Sequence, residues 1–250
     1  MKNLDHQKKY FNKIAITYHK NSENHLKSIL RFFAITKKYI SGDLLDIGNG
    51  GIIGYDTKRA KSITIADIAS ETIANPKHVK NNILIPFRSR KLKSVTANVL
   101  SMPFKKDSFN TVVMVTTAHH LSVLKKSATI ANIHKAFNEI NRVLKNNGIF
   151  IIHECFLNPI LKMFQEIFFT PAFYLLSQLG KPLPYFMSEK QLTSFLKIND
   201  FKVIEIKRVQ SGNKVYVPLF TFLSPPGWLW DIIQPSKTYI CKKITDVKKS

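Results

Sequence analysis

The sequence predicts an α/β fold built on a seven-stranded sheet that is mostly parallel, with an antiparallel last strand. Short apolar runs alternate along the chain with amphipathic helical segments, which is the order of a parallel sheet with crossover helices. The run TVVMVTTA at 111–118 is apolar on both of its faces. Such a strand needs helices on both sides of the sheet, because each face must be shielded from water.

Seven segments have the pattern of strands. The first is DLLDI, which is followed directly by a glycine-rich turn. Four more are apolar runs, and the last two alternate apolar with polar residues. These six strands are expected at 62–67, 94–99, 111–118, 148–154, 201–209 and 237–243.

Three segments have the pattern of helices. Apolar residues recur at spacings of three and four within 1–40, and they line one side of 132–148, where Gly148 is expected to cap the helix end. The third segment, 188–200, begins with Ser188 three residues before Gln191, which is a capping box.

The composition bounds the class of protein. Hydrophobic residues make up 44% of the 250 residues, which is enough for a sizeable core and excludes a disordered chain. Two cysteines, Cys155 and Cys241, cannot build a metal cluster or a disulfide framework, so we expect no metal site. Without the apolar core of a signal peptide at its start, the chain is expected in the cytoplasm.

The charge is strongly positive. Lys and Arg number 38 against 16 Asp and Glu, which gives a net charge of +22. Such a field favours polyanions and anionic membrane surfaces, whereas a compositional drift towards lysine would produce the same excess without any partner. Both explanations stay open. The longest uncharged runs are too short to span a bilayer.

A turn with two acids near it marks the candidate binding site. Gly48 and Gly50 follow the first strand, where a chain must turn tightly and let a ligand approach its backbone. Asp46 precedes them, and a carboxylate there pairs better with a cationic or amino-bearing ligand than with a pyrophosphate. Asp67 ends the second strand, where an acid accepts hydrogen bonds from a ribose. A nucleoside with a positively charged tail fits both acids.

These segments resemble the class I S-adenosylmethionine-dependent methyltransferases, particularly the small-molecule group with ubiquinone/menaquinone-type and malonyl-carrier-protein-type enzymes. LLDIGNGG is similar to the family's first motif and ITIADIA to its second-strand acid. Three further segments are similar to family motifs, and all five follow the family's order across about residues 10–155. They are KIAITYHK, SMPFKKDSFNTVVMVTTAHHL and EINRVLKNNGIFIIHE.

The resemblance implies a Rossmann-like, doubly wound sheet that binds S-adenosylmethionine. The cofactor's methionine part would lie against the glycine turn, its ribose against the second-strand acid and its adenine near Asn98, where the family usually has Asp. The expected cofactor-binding residues are Asp46, Gly48, Gly50, Asp67, Asn98, Tyr18 and His119.

The same resemblance divides a single methyltransferase domain, 1–250, into parts. Residues 1–40 would form a helical N-terminal lid and 41–154 the cofactor-binding core. The aromatic-rich segments 155–187 and 210–235 would be apolar inserts that cover the substrate.

Three residues are candidates for catalysis: His120, His153 and Glu154. His120 follows the fourth strand, and His153 and Glu154 end the fifth, so all three are expected at the carboxyl edge of the sheet, where open α/β folds bind ligands. Methyl transfer from a sulfonium is an in-line displacement that needs alignment and a dry site. A purely structural role for the histidines is the alternative.

The acceptor is expected to be a small molecule that is apolar or lipid-like, because aromatic side chains are frequent in both inserts. The same aromatics also suit contact with an anionic membrane surface. Methylation of RNA or protein through the basic surface is a second hypothesis, although the scattered distribution of the basic residues argues against a nucleic-acid substrate. A catalytically inactive homologue is the third, since Asn98 and Ile52 depart from the family pattern.

Overall fold

The computed structural model of the protein describes residues 4–21, 32, 34–51, 53, 55–74, 92–209 and 234–244. Seven strands within these residues form one sheet. They are β1 (Gly42–Ile47), β2 (Ala60–Asp67), β3 (Leu92–Thr96), β4 (Phe109–Val115), β5 (Leu144–Cys155), β6 (Phe201–Val209) and β7 (Ser236–Lys243). Their order across the sheet is β3-β2-β1-β4-β5-β7-β6.

Strands β1 to β5 pair in parallel, whereas β7 is antiparallel to both of its neighbours, β5 and β6. This confirms the predicted seven-stranded sheet with an antiparallel last strand. The carboxyl ends of β1, β2 and β4 consequently meet at one edge, because these strands are parallel neighbours.

Five α-helices are described. They are α1 (Asp5–Asn21), α2 (Ser70–Ile73), α3 (Lys126–Val143), α4 (Pro159–Gln178) and α5 (Glu189–Ile198). A single 3-10 turn, Ala118–His120, follows β4. The predicted capping box is confirmed at the start of α5, where the Ser188 hydroxyl accepts from the Gln191 N–H and the Gln191 side chain accepts from the Ser188 N–H. None of the described helices is long and apolar enough to cross a membrane.

The core lies on both faces of the sheet. In β4, Val112 and Met114 pack into one buried cluster while Val113 packs into the other. In β5, Phe150 and Ile152 pack into the first cluster and Ile151 packs into the second. Burial on both faces explains why these strands have continuous apolar sequences.

The predicted ends of three elements were wrong by three residues or more. Strand β4 ends at Val115 because Thr116 adopts a left-handed conformation, with φ of 48°. Helix α3 ends at Val143, and Gly148 lies inside β5 rather than capping the helix. The left-handed residue there is Asn147, with φ of 59°. Strand β3 ends at Thr96, which places Asn98 in the turn beyond it.

The structure describes the first predicted insert in full and only the end of the second. Residues 155–187 contain α4 and an extended segment that leads from it to α5. Most of 210–235 lies outside the described residues, as does the side chain of Tyr18, although its backbone belongs to α1.

Candidate active site

A pocket opens at the carboxyl edge of β1, β2 and β4. The turns after these strands line it, and so do Gln7 and Phe11 of α1 and Leu4, the residue before that helix. Of the residues predicted from the sequence, six line this pocket: Gly48, Gly50, Asp67, Asn98, His119 and His120.

The glycine turn has a conformation that favours glycine. Gly48 and Gly50 have φ of 66° and 59°, in the left-handed region where a Cβ is strained. A Cβ on Gly48 would also lie 2.3 Å from the side chain of Thr117, which follows β4. The turn therefore has backbone facing the pocket and no room for a side chain at Gly48.

Asp67 links the glycine turn to the start of α2. Its carboxylate accepts hydrogen bonds from the Gly50 N–H at 3.1 Å and from the Ala69 N–H at 2.8 Å. Burial raises the pKa of Asp67, while these N–H groups oppose the shift. Two oxygens offer about four acceptor positions, so the carboxylate keeps capacity for ligand hydroxyls.

Asp46 lies beneath the turn rather than on the pocket wall. It is 2% exposed, and one carboxylate oxygen accepts from the Tyr55 hydroxyl at 2.6 Å and from the Asn49 amide at 2.5 Å. Burial raises its pKa to about 7, although both hydrogen bonds favour the ionised form. The structure thus places Asp46 where it supports the turn from below.

Asn98 lines the pocket from the turn after β3. Its side-chain oxygen accepts from the Leu100 N–H at 2.9 Å. This oxygen was predicted to accept from an adenine amino group, and a carbonyl oxygen has a second lone pair for that bond.

His119 and Glu154 form a buried pair next to the pocket. His119 Nδ1 lies 2.7 Å from Glu154 Oε2. The other carboxylate oxygen, Oε1, accepts from the backbone N–H groups of Thr117 and Ala118 at 3.0 and 2.8 Å. Glu154 is 1% exposed and does not itself line the pocket, so it holds both His119 and the turn after β4 in place.

His120 lies between α1 and His119. Its ring contacts Phe11 edge-on at 4.9 Å and His119 at 4.2 Å between centroids. Among the residues that the structure describes, no hydrogen-bond partner is found for its Nδ1 atom. Burial, and then the adjacent His119, lower the pKa of His120 well below its usual value. A neutral imidazole therefore faces the pocket.

His153 lies away from the pocket. Its Nδ1 is 3.0 Å from the Thr238 hydroxyl on β7, and burial lowers its pKa to about 4. Side-chain packing across the sheet is the role that this position supports.

Some site residues were not identified from the sequence. Tyr55, Thr117 and Gln7 each take part in or around the pocket, but Tyr55 and Gln7 belong to no motif, and no role was predicted for Thr117 within the motif segment that contains it. Only Thr117 carried a signal, because it follows a buried parallel strand at the edge where ligands bind.

Comparison with known proteins agrees with this geometry. Residues 45–152 match the family described as "Methyltransferase domain".

Two uncharacterised proteins of Methanocaldococcus jannaschii are similar to this chain in sequence. One is 29% identical over 169 residues, which cover 68% of this chain and 61% of the relative. The other is 32% identical over 146 residues, which cover 58% of this chain and 49% of the relative. The chain thus spans about half to three fifths of their length.

Solved structures share the fold. A methyltransferase in complex with the Haloferax volcanii Trm112 methyltransferase activator has a TM-score of 0.63 at 15% identity, covering 94% of this chain and 98% of its own. An S-adenosylmethionine-dependent methyltransferase of Methanosarcina mazei has 0.54 at 19%, covering 84% and 96%. Geranyl diphosphate C-methyltransferase of Streptomyces coelicolor has 0.57 at 14%, covering 93% and 84%.

The glycine turn, the second-strand acid and the pocket at one sheet edge lie within or beside the matched residues. Residues 45–152 accordingly match a methyltransferase domain in sequence, and the sheet around them shares its fold with solved S-adenosylmethionine-dependent methyltransferases.

Proposed function

We propose that the protein transfers a methyl group to a small, apolar or lipid-like acceptor by in-line displacement. The composition of the pocket wall carries this proposal. Besides the polar glycine turn, the lining includes apolar side chains from α1 and its preceding residue and from the segment after β4, among them Phe11, Leu4 and Leu121, with the polar Gln7 beside them. Such a wall excludes water and favours an apolar acceptor.

We propose that the polar end of the pocket holds the cofactor. Bare backbone at Gly48 and Gly50 allows close approach, and Asp67 offers acceptor positions suited to ribose hydroxyls. When bound, S-adenosylmethionine would supply a methyl group attached to a positively charged sulfonium. Once the methyl group is transferred, the sulfur leaves as part of a neutral thioether. Asp46 would act through the turn, because its carboxylate is occupied by Tyr55 and Asn49.

We further propose that His119 accepts the acceptor's proton. Donation of Nδ1–H to Glu154 fixes the ring and leaves Nε2 as the basic atom. In this arrangement His119 is the base and Glu154 is a positioning residue, which revises the catalytic assignment made from the sequence. His120 would then serve as part of the apolar wall, since its neutral ring packs on Phe11.

The first test is calorimetric titration with S-adenosylmethionine and its demethylated product. We expect binding that Asp67→Ala weakens by at least about tenfold, because hydrogen bonds to a charged group are worth roughly 1.5–3 kcal/mol. Asp43→Asn is the control, since Asp43 pairs with Lys145 and Ser62 away from the pocket. Absence of binding by the unaltered protein would favour the hypothesis that the chain is a catalytically inactive homologue.

The second test is a methyl-transfer screen with labelled cofactor. The acceptors would include prenyl chains, quinones, acyl thioesters, bulk RNA and bulk protein. Label in the organic extract would support the proposal. Label only in RNA or protein would contradict it and favour the second candidate, for which the charge of +22 is the specific observation.

The proposed pair is tested by Glu154→Gln. The amide oxygen can still accept from Thr117 and Ala118, so the fold should persist, while the amide nitrogen would face His119 Nδ1 and reverse the ring's tautomer. We expect turnover to fall by roughly 100-fold with cofactor affinity unchanged. Unaltered turnover would contradict the assignment of His119 as the base.

A further inference from the structure

Helix α4 presents an apolar stripe to the outside. Ile160, Ile167 and Leu175 are 65%, 60% and 63% exposed. The exposed apolar residues of the helix recur at spacings of three and four, so they share one face. We call this set the α4 face; it consists of Ile160, Met163, Phe164, Ile167, Phe168, Tyr174, Leu175 and, just past the helix end, Leu179.

The charged residues of α4 lie on its other side. Lys162 donates to the Phe186 carbonyl and pairs with Glu166, and Glu166 accepts from the Tyr185 hydroxyl. All of these partners belong to the protein itself. The α4 face therefore carries no ionic side chain over a helix of 20 residues, or about 30 Å.

Two exposed lysines lie near the ends of α4. Lys125 is exposed at the start of α3, whereas its neighbour Lys126 pairs at 2.8 Å with Glu166 on the other side of α4. Lys181 is exposed just beyond the other end of α4. The whole chain carries a charge of +22, so an anionic surface would be attracted from a distance and held by these lysines.

We propose that the α4 face lies in the headgroup region of an anionic membrane. The helix is not apolar enough along its length to span a bilayer, while an uncharged face on a strongly basic protein is the arrangement of a helix that lies in the interface. This proposal is independent of methyl transfer, because none of the residues of the α4 face lines the pocket.

The segment after α4 connects the face to the pocket. Leu183 accepts from the Ser122 hydroxyl at 2.6 Å, and the Tyr185 N–H donates to the His119 carbonyl at 2.8 Å. Phe186 packs on the His119 ring, with centroids 4.9 Å apart. A bilayer that holds α4 would thus lie close to the base proposed above.

The experiment is co-sedimentation with vesicles of phosphatidylglycerol and phosphatidylcholine, compared with phosphatidylcholine alone. Phe164→Ser combined with Phe168→Ser removes two half-exposed rings whose loss costs the fold little. Ile198→Ser is the matched control, because Ile198 is 63% exposed at the end of α5. Cofactor affinity is measured for every variant, so that a failure of the proposed methyl transfer is recognised separately.

We expect the unaltered protein and the control to bind the anionic vesicles, and the double variant to bind at least about tenfold more weakly. Equal binding by the double variant would overturn the proposal, since charge alone would then suffice. Absence of binding to anionic vesicles would overturn it as well. Concentration-dependent dimers that the double variant abolishes, without vesicle binding, would assign the face to a second copy of the chain.

Discussion

Gly48 and Gly180 have the same backbone conformation but different surroundings, so substituting each one distinguishes the cost of backbone strain from the cost of a steric clash. Gly48 and Gly180 both have φ of 66°, but a Cβ on Gly180 meets nothing within 4 Å, whereas one on Gly48 would meet Thr117. We expect Gly180→Ala to cost about 1 kcal/mol of unfolding free energy and Gly48→Ala roughly 1–3 kcal/mol more, with loss of cofactor binding. Urea unfolding and calorimetry measure both. Equal costs for the two variants would contradict the packing described at Thr117.

The raised pKa of Asp46 makes stability depend on pH. Between about pH 4 and 7 the folded protein keeps a proton that the unfolded chain has lost, so the contribution of Asp46 to stability falls as the pH rises. Asp46→Asn removes this titration and can keep both hydrogen bonds, since Tyr55 and Asn49 donate to the same oxygen.

We therefore expect Asp46→Asn to gain about 2 kcal/mol relative to the unaltered protein between pH 5 and pH 8. The measurement is the difference between the two urea-unfolding free energies at each pH. His120 and His153 are present in both proteins, so their own titrations cancel in that difference. Parallel pH profiles would mean that Asp46 is ionised in the folded protein.

Some residues of the site could be predicted from the sequence, whereas the contacts between them could not. Gly48 and Asp67 were predictable, because a strand end fixes where each side chain or backbone group points. The partners of Asp46 were not, because Tyr55 reaches it through a turn that has no sequence signature. The pairing of Glu154 with His119 was also hidden, since it joins residues 35 positions apart.

At the scale of elements, we expect α1 to be the part of the pocket lining that responds to a bound ligand. Its Gln7 side chain donates to the Ser122 carbonyl at 2.7 Å, and Asn12 accepts from the Glu71 N–H at 3.1 Å. We expect amide exchange in α1 to slow by at least about tenfold when the demethylated cofactor binds, because closure over the ligand adds contacts. Exchange in α5 should stay unchanged. Slowing that is uniform across the chain would indicate global stabilisation instead.

Strands were easier to predict than their ends. Every strand had an apolar or alternating pattern, which burial on both faces of the sheet imposes. The end of α3 was misplaced because Asn147 and Gly148 look like a helix cap, while pairing with β4 extends β5 back to Leu144. Backbone pairing between distant segments decided that boundary, and local sequence does not encode it.

At the scale of the whole molecule, the charge should act on polyanions and leave the pocket unaffected. We expect binding to single-stranded RNA to fall by more than about 100-fold between 50 and 200 mM salt, because counterion release drives it. Cofactor affinity should change by less than about threefold, since the contacts of the pocket are short-range. Gel shifts and calorimetry at the two salt concentrations measure this. RNA binding that persists at the higher salt would favour a specific nucleic-acid partner.

The order of strands also has a consequence for synthesis of the chain. Strand β7 is the last of the described strands along the chain, yet it lies between β5 and β6. Strands β1 to β5 can pair as soon as they leave the ribosome, and the glycine turn and Asp67 belong to that half. Strand β6 has no described partner in the sheet until Ser236–Lys243 emerges. A nascent chain therefore carries an unpaired edge on β5 until β7 pairs with it, and an unpaired strand edge is prone to pair with other chains.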